Sequence, residues 1–82
     1  MGMSGIDPVH REIVATLAGG AALNAVEIKA KAFPHSIRPK LTSIRLRAET
    51  LVRRGLLSKQ GTGADAKYRQ TDAGAAAFPV QP

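Results

Sequence analysis

The run from Ile37 to Leu57 constrains this chain most, because Leu41, Ile44, Ala48, Leu51 and Val52 recur in it at steps of three, four, three and one. That spacing lays one apolar stripe along a helix of 3.6 residues per turn. Thr42, Ser43, Arg47, Thr50, Arg53 and Arg54 fall outside the stripe, so the outer face is basic and bears hydroxyls. Gly55 suits the left-handed conformation that stops a helix, and Leu56-Leu57 restart the chain in an extended run. An apolar stripe must be covered, and 82 residues leave room for one small core. The large side chains available for it are Ile13, Val14 and Leu17, then Leu23, Ile28 and Phe33, then Leu56, Leu57, Tyr68 and Phe78.

These residues sit in segments with their own start and stop signals. Asp7-Pro8 opens a first helix, since the carboxylate can cap free amides and proline has no N–H to lose at the first position. That helix turns Val9 or His10, Ile13, Val14 and Leu17 to one side and stops at Gly19-Gly20. Asn24 and Glu27 form a capping box for a second helix, with Leu23 and Ile28 at the staple positions around it. Ile28, Ala32 and Phe33 supply its inward side, and Pro34 ends it. His35 and Ser36 then turn into the long helix, for which Ser36 or Arg38 is the expected cap and Pro39 a first-turn residue. Free amides, the positive end of the helix dipole and Arg38 and Lys40 gather at this end, an arrangement able to hold a phosphate.

After Gly55 the period changes. Leu56–Lys59 and Lys67–Gln70 read as two short strands joined by the glycine-containing loop Gln60–Ala66. Gly61-Thr62-Gly63 lacks the Lys-Ser/Thr ending and the long following helix of a nucleotide-binding loop. Thr71 caps a last helix from Asp72 to Phe78, whose Ala75 and Phe78 return to the core before Pro79 stops it. The expected fold is therefore mainly α with a small β-hairpin (α+β), in the order α-α-α-β-β-α. One domain spans 7–78, between tails at 1–6 and 79–82.

Charge is distributed unevenly. Nine basic residues lie between Arg38 and Arg69 against only Glu49 and Asp65, whereas the rest of the chain is close to neutral. Such a concentration favours a polyanionic partner. The absence of cysteine removes thiolate metal sites and thiol nucleophiles, and the acids read largely as caps or surface charges, not as partners of His10 or His35. The expectation is a chain that is not an enzyme and needs no cofactor or metal. No apolar run approaches the roughly 20 residues that span a bilayer, and the start has no signal-peptide pattern. A cytoplasmic protein with no membrane partner is expected.

Three stretches carry a family resemblance: N-A-V-E-I-K-A-K-A-F at Asn24–Phe33, L-V-R-R-G-L-L at Leu51–Leu57 and Y-R-Q-T-D-A-G at Tyr68–Gly74. With the order of elements they make the chain similar to a winged helix-turn-helix domain, resembling small bacterial, archaeal and phage regulators of the MarR and PadR type. In those families the helix ending in R-G-L reads DNA, the following hairpin is the wing, and Y-x-L-T-x-x-G closes the wing and opens the next helix. Gln70 replaces the usual leucine, which weakens one core position. The long flanking helices that make these families dimerise, and that hold the MarR effector pockets, have no counterpart here.

The resemblance and the charge together imply binding of double-stranded DNA in transcriptional control. Thr42, Ser43 and Arg47 are expected nearest base edges, where arginine pairs with guanine and hydroxyls donate or accept. Lys29, Arg38, Lys40, Arg53 and Arg54 would hold phosphates, with Lys59, Lys67 and Arg69 serving the wing. The alternatives are a winged helix used for protein contacts, including a weak dimer, and a non-specific architectural DNA-binding protein. Leu46 falls opposite the buried stripe, which suits a solvated leucine, a thymine methyl or a partner subunit.

Overall fold

A computed structural model describes residues 8–77, except for the side chain of Ala64. Within them α1 (Pro8–Thr16), α2 (Ala25–Ala32), α3 (Leu41–Arg53) and α4 (Asp72–Ala77) accompany β1 (Ala22–Leu23), β2 (Leu57–Gln60) and β3 (Lys67–Gln70). The architecture is α+β, with four helices and one antiparallel sheet in the order β1-β3-β2. Short 3-10 turns at Ala18–Gly20 and Gly63–Asp65 complete the chain path. The expectations for Asp7, Phe78, Pro79 and both tails fall outside the described residues.

The core forms where the sequence spacing places it. Ile44, Ala48 and Leu51 of α3 are buried with Ile13, Val14, Leu17, Ile28, Leu57 and Tyr68, and Leu23, Phe33, Leu41 and Val52 pack around them. Of the two candidates for the inward side of α1, His10 is the buried one, 6 % exposed beside Ile13 and Val14, and Val9 is half-buried. On α4 the expected inward residue Ala75 is exposed, and Gly74 and Ala77 face the core instead. The reason is steric. A Cβ at position 74 would lie 2.0 Å from the Leu56 carbonyl oxygen, so only glycine lets α4 approach this closely.

The helix ends also follow local chemistry. Both halves of the capping box are present: Asn24 Oδ1 accepts from the Glu27 amide at 2.8 Å, and Glu27 Oε1 accepts from the Asn24 amide at 2.9 Å. At the end of α3, Gly55 takes φ 77°, the Leu56 amide donates to the Leu51 carbonyl at 2.9 Å and the Gly55 amide to the Val52 carbonyl at 3.0 Å. These two bonds, with Leu56 packed near Leu51, make a Schellman stop. Thr71 Oγ1 accepts from the Gly74 amide at 3.0 Å and donates to the Gly55 carbonyl at 2.6 Å. One side chain therefore caps α4 and ties it to the end of α3.

Three features differ from the sequence expectation. Strand β1 was not expected; its two residues pair with β3, Ala22 opposite Arg69 and Leu23 opposite Tyr68. It exists only because β3 offers an edge, since two residues carry no periodic signal of their own. Secondly, neither Ser36 nor Arg38 caps α3. The N-cap is Lys40, with no side-chain cap bond, and Pro39 precedes the helix. Thirdly, Gln70 is half-buried and makes a polar link where an apolar contact was the expectation: its Nε2 donates to the Val14 carbonyl at 3.1 Å, joining β3 to the last turn of α1.

Candidate nucleic-acid interface

Helix α3 turns one side to the core and leaves the other to solvent. Opposite the buried stripe run Thr42, Leu46, Thr50 and Arg53, of which Thr42, Leu46 and Arg53 are exposed and Thr50 is partly so. Thr50 is occupied locally, donating to the Leu46 carbonyl at 3.0 Å and accepting from Arg53 at 3.2 Å. Arg45 and Arg47 stand on the two flanks, Arg45 exposed and Arg47 half-buried with its guanidinium donating to the Ser43 hydroxyl. At the N-terminal end, Arg38, Lys40, Thr42, Ser43 and Leu46 line an open groove of about 700 Å³ with Val9 and Pro39. At the other end Arg53 and Arg54 are exposed. Along the helix these two cationic ends lie about 18 Å apart, at about 1.5 Å per residue.

Lys29 has a different position from the expected phosphate contact. From the last turn of α2 its Nζ donates to the carbonyls of Ser36, Ile37 and Pro39 at 3.2, 3.3 and 3.1 Å. An ammonium has three hydrogens, and each here has an acceptor. Lys29 therefore holds the turn between α2 and α3, so the ammonium expected at a phosphate is engaged within the fold. Those bonds brace the non-helical residues 36–39, and α3 begins at Leu41, not near Ser36.

The hairpin is latched to α3 through Glu49, the one acid between Arg38 and Gln60. Lys59 Nζ lies 2.9 Å from Glu49 Oε2, and the Tyr68 hydroxyl donates to the same oxygen at 2.7 Å. The Lys59 ammonium, then the Tyr68 hydroxyl, hold the Glu49 carboxyl below its usual range. Burial, reinforced by the neighbouring carboxylate, pushes the Tyr68 hydroxyl up to about 12. Lys59 and Tyr68 are direct cross-strand partners and share the sheet face that looks toward α3. By the same alternation Lys67 and Arg69 lie on the other face, with Gln60 and Ser58 opposite them on β2. The three expected hairpin cations thus divide: Lys59 joins α3, while Lys67 and Arg69 are exposed on the outer face of the sheet.

Sequence reasoning missed the latch. Glu49 has Arg45 and Arg53 one turn away on either side, so it reads as an ordinary helix-surface acid. Its isolation inside a long basic run was the only available signal. Among the described residues no three or more His, Asp or Glu side chains gather as a metal site, and no helix is long and apolar enough to cross a membrane.

Comparison with protein-family models, curated proteins and solved structures finds no match.

Proposed function

We propose that this chain is a winged helix-turn-helix domain that binds double-stranded DNA, with α3 in the major groove and the β2–β3 hairpin as the wing, in transcriptional control. One observation carries the reading. The solvent side of α3 and its two ends bear Arg38, Lys40, Arg45, Arg53 and Arg54, while the single acid of this stretch, Glu49, is turned to the hairpin and neutralised by Lys59. What remains facing outward is a helix with no competing negative charge.

The dimensions fit. A major groove about 12 Å wide admits a helix and leaves phosphates on both sides. Cations at the two ends of α3 would reach those two backbones, Arg38 and Lys40 on one side and Arg53 and Arg54 on the other. Thr42 and Ser43 line the open groove beside Arg38 and Lys40 and would approach base edges, with Arg47 reaching them beside Ser43. No residue of the interface needs a metal or a cofactor for these contacts.

The test is titration of a random-sequence duplex at several salt concentrations. Neutralising Z phosphates gives a logarithmic salt slope of about −0.9Z. Several phosphate contacts are expected, and Arg38→Ala, Lys40→Ala and Arg53→Ala are each expected to reduce the slope by about one. A flat salt dependence, or no duplex binding at all, overturns the reading and leaves a basic surface for a protein partner.

A further inference from the structure

Among the described residues three large apolar side chains are conspicuously exposed: Val26 at 55 %, Ile37 at 88 % and Leu46 at 64 %. Val26 lies on α2 and Ile37 in the turn that Lys29 holds. Leu46 alone stands on the outward line of α3, between Thr42 one turn before and Thr50 one turn after, and in the wall of the groove that Arg38 and Lys40 rim. We infer that Leu46 is a specificity-determining residue that packs against the 5-methyl group of a thymine in the major groove. This inference rests on the DNA-binding reading and deepens it.

The argument is one of position and chemistry. Measured from the whole apolar stripe of Leu41, Ile44, Ala48, Leu51 and Val52, Leu46 is the α3 residue closest to diametrically opposite. A helix lying in a groove with its buried side outward from the duplex therefore places position 46 deepest. Arg45 and Arg47, on the flanks, lie nearer the groove walls. At the floor a leucine has no hydrogen bond to offer, and against a bare polar base edge it would strand donors or acceptors without a partner. The thymine methyl is the one apolar group that a major-groove edge presents. The surrounding charge chooses the occupant: cations at both ends of the helix, and no acid on its outer line, suit DNA better than a second copy of an equally basic surface.

The experiment begins with selection of a preferred duplex from random sequence, followed by replacement of each thymine by deoxyuridine, which removes only the methyl. At one or two thymines the wild-type protein is expected to lose about fourfold in affinity, the worth of one buried methyl group. Leu46→Ala is expected to bind the thymine duplex more weakly and to show no penalty for uracil at those positions. The exposed site makes this variant expected to fold, and its thermal melt checks that. Equal uracil penalties in both proteins, or none at any thymine, overturn the inference while leaving duplex binding intact. So does a selection that enriches no sequence from a duplex bound with a steep salt slope. Loss of a dimer in Leu46→Ala by sedimentation, with the uracil penalties unchanged, assigns the leucine to self-association and also overturns it. Absence of any duplex binding removes the proposed function itself and the inference with it.

Discussion

Among the described glycines, Gly74 is the one at which the surroundings leave least room for a side chain. Because a Cβ there would sit 2.0 Å from the Leu56 carbonyl oxygen, Gly74→Ala must push α4 away from the end of α3. The Thr71 bonds that join Gly55, Leu56 and α4 would shift with it. A loss of about 3 kcal/mol is expected, at the upper end of overpacking costs, read from denaturant melts. Glu49 and Tyr68 are the residues whose contribution changes with pH. Glu49 has a folded-state value below its unfolded one, so its stabilisation is complete above the unfolded carboxylate range, about pH 4.3, and is lost as pH falls through the folded value. Tyr68 is displaced the other way. The unfolded hydroxyl ionises near pH 10 and the folded one near 12, so stability declines across that interval as pH rises. Unfolding free energies measured across pH are expected to show an acid loss that Glu49→Gln removes and an alkaline loss that Tyr68→Phe removes.

At the scale of elements, α3 is defined by its stripe and aimed by its neighbours. Ile44→Ala and Leu51→Ala are each expected to cost about 2–4 kcal/mol, as large-to-small changes in a core do. Thr42→Ala, on the exposed side, should stay within about 0.5 kcal/mol. If equilibrium melts made Thr42→Ala the most damaging of the three, the helical phase behind the interface would be wrong. Lys29 braces the turn ahead of α3, and Lys29→Met keeps the length of the side chain while deleting its three bonds. Expected are a stability loss of about 1–2 kcal/mol and weaker duplex binding with an unchanged salt slope. A phosphate contact would instead reduce that slope by about one. The slope therefore separates a residue that positions the helix from one that touches the ligand.

Among the described residues, the cations from Arg38 to Arg69 make two basic surfaces. One is the outer side of α3 with its two ends; the other is the outer face of the sheet, carrying Lys67 and Arg69. They are not continuous through Lys59, which Glu49 holds against α3. If α3 lies in the major groove, the end of the hairpin comes nearest the backbone. Lys67 pairs with Gln60 at that end, whereas Arg69 lies further back between Ala22 and Ser58. Lys67→Ala is expected to reduce the salt slope by about one and Arg69→Ala to leave it unchanged, in titrations on the same random duplex. Equal reductions would mean that the duplex covers the whole outer face. Two unchanged slopes would take the hairpin off the DNA.

Signals confined to one helix or turn were legible in the chain itself. The stripe of α3, the Asn24–Glu27 box, the Gly55 stop and the Thr71 cap each depend on residues a few positions apart, and local sterics and hydrogen bonding decide them. The exposure of Thr42 and Leu46 followed from the same phase. Tertiary structure decided whatever depends on partners far along the chain. Strand β1 exists through pairing across more than forty residues, and Gln70 finds its acceptor on α1. Glu49 meets Lys59 and Tyr68 only because the hairpin folds back on α3. Lys29 illustrates the limit most directly. Its charge and exposure pattern read as a phosphate contact, and three backbone carbonyls in the next turn make it a brace. A cation's sign is written in the sequence, but its partner is chosen by which acceptors the fold brings within about 3 Å.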